Sequence, residues 1–408
     1  MVPGNKSASW LVGLMCLGLF LPLWLAAQNG SPLINKPSDP TATPKTKALF
    51  DNLRNISGKW ILFGHQDDMA YGVHWKGQPG RSDVLEVCGT YPSVFGWDVG
   101  ELVKGATHNI DSVPFRDMQA FMLKAFKLGS VNTISWHLDN LGTGGSAWDT
   151  TTVVRDLLPG GQYHDRLLAQ LDVLADYLKT LKTQGPFRRK IPIIFRPWHE
   201  NTGHWFWWGS ASCTSEEFKA LWRFTVDYLR EEKRIHNLLY AFSPSGNFAS
   251  PEEYLQTYPG DDYVDILGVD YYYSPDNMAG IKTDLGQKLA IISRLAAEKG
   301  KISALTETGF EAIPDSSWWT AGLLDHIEST PDAGRIAYLL VWRNAWEKSR
   351  LNHYYAPYPG QVSSADFVRF TQHPRVALNN KMPNMYRKPR NRPAAVANPA
   401  LKSTSTTP

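Results

Sequence analysis

In residues 191–209, IPIIFRPWHENTGHWFWWG, a continuous apolar run ends abruptly in Arg196, Pro197, Trp198, His199 and Glu200. Four more aromatic residues follow at Trp205, Phe206, Trp207 and Trp208. A fully buried strand reads as such an unbroken apolar run, and a glutamate at its end is costly to bury unless it has a chemical role. One carboxyl group among so many rings suits a site that grips a sugar on aromatic platforms and protonates a glycosidic oxygen. A salt-bridged glutamate closing a strand is the competing reading of this segment taken alone.

Glycoside hydrolysis needs two carboxyl groups flanking the scissile bond. The second candidate is Glu307 in ALTETGF, again at the end of an apolar run. If these runs are strands 4 and 7 of an eight-stranded barrel, they face one another across its mouth. A separation of about 5–5.5 Å would give a retaining mechanism through a covalent glycosyl-enzyme. Glu307 then attacks the anomeric carbon, and Glu200 protonates the leaving oxygen before acting as base toward water. Proximity to a charged Glu307 raises the pKa of Glu200, because two like charges resist coexisting. His199 is placed to orient the site, and Tyr272 to hydrogen-bond the nucleophile.

The elements that would position these groups repeat along the chain. Short apolar runs at 60–66, 92–99, 130–137, 191–200, 238–246, 264–272, 302–309 and 335–343 alternate with amphipathic stretches such as 112–128, 163–184, 215–235 and 281–299. Eight runs separated by helices give the count of a single (β/α)8 barrel. Nearly every run begins apolar and ends polar or aromatic: His65, Asp98, His137, His199 with Glu200, Ser243, Asp270 with Tyr272, Glu307, and Trp342 with Arg343. In a barrel of this kind the chemistry sits at the C-terminal ends of the strands. A doubly wound sheet produces the same alternation, but no GxGxxG opens a helix here. Asp98, with Glu101 nearby, reads as structural, and His65 as either mouth or core. The long connection 141–162 carries Trp148, which suits a further sugar subsite.

The motifs RPWHENTGHWFWWG, GVDYYY and TETGF, with DTTTVVRDLLPGG and VCGTYPSVFGWDVG, resemble glycoside hydrolase family 26, whose main members are β-mannanases. The resemblance spans residues 45–375. It implies a (β/α)8 barrel and a retaining mechanism without a metal or other cofactor, with Glu200 as acid/base and Glu307 as nucleophile. His137, Trp205, Asp270, Tyr272, Trp342 and Arg343 would line the subsites nearest the cleaved bond. The expected activity is that of an endo-β-1,4-mannanase on mannan, glucomannan or galactomannan. A β-1,3-xylanase or mixed-linkage glucanase on the same barrel is the alternative, and a non-catalytic glycan-binding protein is the alternative of another class.

No HExxH or CxxC spacing suggests a metal site. The net charge of +3 hides an asymmetry: seven basic and no acidic residues lie in 375–408, while Lys6 is the only charge in the first 28 residues. The intervening chain carries 34 basic against 39 acidic residues. That mild acidity argues against a nucleic acid or an anionic membrane as partner. Residues 1–27 read as an export signal, with Lys6, an apolar run over 10–27 and small residues at its end, so a periplasmic or secreted protein is expected. Residues 28–45 read as a linker, 46–378 as the catalytic domain and 379–408 as a disordered basic tail. Cys88 and Cys213 form no disulfide framework and are expected as free thiols.

Overall fold

A computed structural model describes residues 36–388, apart from Met278. The export-signal reading of 1–27 and the greater part of the tail lie outside the described residues. Eight parallel strands form the sheet: β1 (Ile61–Gln66), β2 (Val94–Asp98), β3 (Val131–Ser135), β4 (Ile193–Arg196), β5 (Leu238–Phe242), β6 (Ile266–Tyr273), β7 (Ile302–Phe310) and β8 (Tyr338–Val341). Each pairs with the next, and β1 closes on β8 in the register Leu62 with Tyr338 and His65 with Val341, so the sheet is a barrel. A two-residue strand, Val376–Ala377, adds to the start of β1.

The barrel forms where the sequence places it because each strand is buried on both faces, inward against its neighbours and outward against helices. The helix Ile281–Lys299 shows the outer layer: Leu285, Leu289, Ile292 and Ala296 recur at helical spacing and are all buried, and Gly300 ends the helix in the left-handed region. The helix Ser215–Asp227 opens with a reciprocal cap, Thr214 to Glu217 and back, and continues as a π-helical turn over Tyr228–Glu232.

The body extends further at both ends than the sequence suggests. Residues 36–45 are not a free linker: Ser38 N donates to Asp265 Oδ1 at 2.6 Å, Thr43 N to His236 O at 2.8 Å, and the helix Pro44–Ile56 starts directly after. That helix buries Leu49, Phe50, Leu53 and Ile56 against Leu62, Val94, Val131, Ile194 and Leu239, the first turns of the strands, and so plugs the N-terminal end of the barrel. Residues 379–388 are likewise ordered, with Met385 and Tyr386 buried and the Tyr386 hydroxyl donating to Ser130 O at 2.6 Å. The first segment is anchored by hydrogen bonds of Ser38 and Thr43 and the second by Met385 and Tyr386 isolated among Pro, Asn and basic residues, so composition alone conceals both. Cys88 and Cys213 are both free and partly buried.

Candidate active site

Glu200 sits on a turn four residues beyond Arg196, the last residue of β4. Trp198 and Glu200 have φ of 50° and 54°, a region that side chains of their size rarely adopt. Strain of this kind, about 1–3 kcal/mol per residue, persists only where the surroundings over-determine it. Here indole N–H groups do much of that holding. Trp198 Nε1 donates to Thr225 Oγ1 at 3.2 Å, Trp207 Nε1 to Leu138 O at 2.8 Å and Trp208 Nε1 to His199 O at 2.8 Å. Glu200 N donates to Ser243 O at 2.8 Å, tying the turn to the end of β5. Trp207 and Trp208 are both fully buried, whereas an extended segment would bury only one of two neighbours. The segment is a series of turns, so both point inward. Trp205 differs: it is 38% exposed, and its Nε1 donates to Glu200 Oε2 at 2.7 Å.

Glu307 owes its orientation to an irregularity in β7. Val269 of β6 faces Leu305 and Asp270 faces Glu307, while on the other side Leu339 faces Leu305 and Val341 faces Thr308. One extra residue is therefore accommodated in β7 between Leu305 and Thr308, and a bulge of this kind re-aims the side chains beside it. Thr306 Oγ1 lies 2.7 Å from Asp270 Oδ1, and the adjacent Glu307 also turns toward the barrel interior. The Glu307 carboxylate accepts from the Arg196 guanidinium through Oε2 and from the Tyr272 hydroxyl, at 2.5 Å, through Oε1.

Arg196 is the hub of the site. It is 3% exposed and donates to Asp270 Oδ2 at 2.5 Å as well as to Glu307. Burial alone would weaken its hold on the proton, but the charges of Asp270 and Glu307 outweigh burial and keep it cationic. Asp270 is 2% exposed, and its oxygens are occupied by Arg196, Thr306 and Ser243. This places Asp270 beneath the mouth as the anchor of Arg196, rather than on the surface a sugar would meet.

The acid is tuned as its role requires. Glu200 is pushed up to about 7, first by burial and second by the charge of Glu307, with the Trp205 N–H opposing. Beside it lies a second charged unit. His137 Nδ1 is 2.7 Å from Asp98 Oδ2, and His137 Nε2 is 3.2 Å from His199 Nε2. Burial works against a charged His137, but the Asp98 carboxylate more than compensates and raises its pKa. Asp98 is itself lowered to about 2 against the effect of its burial, by the His137 charge and by hydrogen bonds from His137, Ser135 and Gly100. His199 is driven far below its ordinary range by burial and by the charges of Arg196 and His137. The opposite shifts favour the proton on His137 over His199, in keeping with a hydrogen bond between their Nε2 atoms. Asp98 thus sets the charge of a site residue.

Of the remaining candidates, Trp148 and Trp342 form the rim and the others lie deeper. Trp148, 49% exposed, stacks on His137 at 5.2 Å and 15°, and Trp342 approaches the same ring at 6.1 Å. Arg343 Nε pairs with Asp111 Oδ1 at 2.8 Å, which locks it against the loop after β2. His199 is 1% exposed and faces His137 and Phe206. His65 pairs with Asp68 at 2.8 Å and belongs to the interior. Among the described residues, no three His, Cys, Asp or Glu side chains are grouped to hold a metal ion.

Residues 38–321 match the family model described as Glycosyl hydrolase family 26. The chain belongs to that family. A family 26 β-mannanase structure from Bacteroides ovatus is 46% identical, with a TM-score of 0.80, covering 85% of this chain and 98% of that one. A mannan endo-1,4-beta-mannosidase of Bifidobacterium adolescentis is 36% identical over 387 residues, 89% of this chain, which spans only 37% of that longer protein. A second enzyme of that name, from Bacillus subtilis, is 26% identical over 81% of this chain and 93% of its own length.

Three members of this family 26 site escape a reading of the sequence. Arg196 was visible as the first charge after the apolar IPIIF, the one signal that could have marked it. Asp111 lies in a polar loop with nothing to distinguish it. Tyr355 meets Tyr272 edge-on at 5.7 Å and comes from the loop after β8, where His353, Tyr354 and Tyr355 form a small aromatic cluster.

Proposed function

We propose that the protein is an exported, retaining endo-β-1,4-mannanase acting on mannan, glucomannan or galactomannan. The observation that carries the reading is the asymmetry of the two glutamates. Glu307 is paired with a cation and a phenol, as a nucleophile should be, while Glu200 is raised to about 7 and can hold a proton near neutrality. Glu307 attacks the anomeric carbon as Glu200 protonates the departing oxygen, giving a glycosyl ester. Glu200, now ionised, takes a proton from the water that cleaves the ester, and both groups return to their starting states. Tyr272 and Arg196 orient the nucleophile, and Trp205, Trp148 and Trp342 offer aromatic faces to the sugar rings. The mannan specificity rests on the named relatives from Bacteroides ovatus and Bifidobacterium adolescentis.

The test is reducing-end release from mannan, galactomannan, glucomannan, β-1,3-xylan and mixed-linkage glucan, with Glu307→Ala alongside. Release from the mannans alone, reduced at least about a thousandfold in the variant, is expected. Release from another polymer overturns the substrate and keeps the mechanism, whereas a Glu307→Ala enzyme with a tenth of its activity overturns the nucleophile. Binding without release would point to a glycan-binding protein.

A further inference from the structure

The end of the barrel remote from Glu200 is built differently from the rest of the surface. The loop before β4, LKTQGPFRRK (181–190), carries Lys182, Arg188, Arg189 and Lys190 around Phe187, which at 79% is the most exposed large apolar side chain among the described residues. The plug helix and the last described residues bring Lys45 and Arg387 to the same end, where Asn52 Nδ2 holds the Arg387 carbonyl at 2.8 Å. Among the described residues, none of these six cations enters an ion pair. Arg189 lies over the Phe187 ring at 5.8 Å, Lys45 over Phe126 at 5.4 Å, and Lys190 Nζ reaches only a carbonyl, that of Arg234, at 3.2 Å. The cations are close enough to disturb one another: after burial, the charges of Arg189 and Arg387 lower the pKa of Lys45. Of the carboxylates at this end of the barrel, Asp265 is engaged by Ser38, while Asp51 on the plug helix lies within reach of the charges of Arg54 and Lys388.

We propose that this end of the barrel docks on an anionic lipid bilayer, with Phe187 among the headgroups, the six cations on lipid phosphates and the mouth turned away from the membrane. An amphipathic contact of this kind joins an inserted ring to cations that seek phosphate. The position of the patch favours lipid over a soluble polyanion. The patch lies opposite the mouth, so a polymer held there gains nothing at Glu200. The net acidity of the body is no obstacle, because the field of a distant charge falls off within a Debye length of about 10 Å, and the patch acts over that range. No helix among the described residues is long and apolar enough to cross a membrane, so the contact is peripheral.

The packed core lies within residues 42–386, so the chain from Gln28 onward retains all of it and is the protein to test. It is sedimented with phosphatidylcholine vesicles, with and without about 30% phosphatidylglycerol, in low and high salt. Binding to the anionic vesicles alone, lost at high salt, is expected. A basic residue near such a surface is worth about fivefold in binding, so Arg188→Glu with Arg189→Glu should weaken it at least about 25-fold while mannan turnover is unchanged. Phe187→Ala should weaken it and leave the residue of binding wholly salt-sensitive. Absence of anionic-vesicle binding, equal binding to neutral vesicles, or undiminished binding by the double variant would overturn the proposal. So would retention on polygalacturonate without vesicle binding, which would assign the patch to an acidic polysaccharide.

Discussion

Replacing Glu200 by Gln should remove the acid and, above about pH 4.5 and increasingly toward pH 7, make the protein more stable. Folding moves this carboxyl from an ordinary 4.5 to about 7, chiefly through burial and the neighbouring Glu307 charge. One pH unit of displacement corresponds to about 1.36 kcal/mol, so the ionised form costs the fold roughly 3 kcal/mol, about 2 after allowance for the partial exposure of the turn. The sign follows from linkage. Below pH 4.5 the group is protonated in both folded and unfolded chains and costs nothing. Between 4.5 and 7 the unfolded chain ionises and the folded one resists, so stability is lost progressively, and above 7 the loss is complete. Gln is a neutral isostere whose carbonyl still accepts from Trp205. Unfolding entropy of about 2.1 cal/mol/K per residue over some 350 residues converts 2–3 kcal/mol into a rise of about 3–4 °C. Calorimetric melts of both proteins at pH 4, 5.5 and 8 should show the two coinciding at pH 4 and separating toward pH 8. The same group should appear in the kinetics of the unaltered enzyme, with kcat/KM falling tenfold per unit above about pH 7. A difference in melting temperature that is constant across pH, or a destabilised variant at pH 8, would refute the assignment of Glu200 as a strained, buried acid.

Three further outcomes are expected. Trp205→Phe removes a donor that favours ionised Glu200, so the alkaline fall in kcat/KM should move to higher pH, with a loss of less than about tenfold at pH 6; an unmoved profile would show that the hydrogen bond is not made in solution. Asp98→Asn deprives His137 of its counter-charge, and burial should then neutralise the ring; an NMR titration should follow that change, with kcat/KM lowered about 10–100-fold, and a His137 still protonated at pH 7 would count against the proposed relay. Arg196→Met strands Asp270 and Glu307 as buried carboxylates and should cost about 3–5 kcal/mol in denaturant melts. Asp270→Asn added to it should cost little more, and additive losses would mean that the two are not one network.

The eight strands were legible because a barrel strand buries both faces, and an unbroken apolar run is the direct trace of that requirement. The two glutamates were legible for the complementary reason, since a carboxyl group at the end of such a run is expensive and needs an explanation. What escaped was whatever depends on neighbours in space. The extra residue accommodated in β7 beside Glu307 is defined by the register of β6 and β8 against it, and no feature of ALTETGF announces it. The direction of each indole N–H was not legible, because composition registers an aromatic face and not where its N–H points. Trp198, Trp207 and Trp208 spend that N–H on fixing a strained turn, and Trp205 alone of the four brings its N–H to the acid.

Arg196 shows the limit most clearly. Read along the chain, it is merely where IPIIF stops being apolar. Its partners Asp270 and Glu307 stand 74 and 111 residues away, and each could be read separately as a sugar contact or a nucleophile. Once the barrel closes, the three cease to be independent: one buried guanidinium donates to both carboxyl groups, Asp270 through one nitrogen and Glu307 through another, and the Tyr272 hydroxyl donates to the second oxygen of Glu307. The position of the nucleophile is therefore a consequence of charge pairing in the barrel interior, and only the closed ring of strands brings that pairing about.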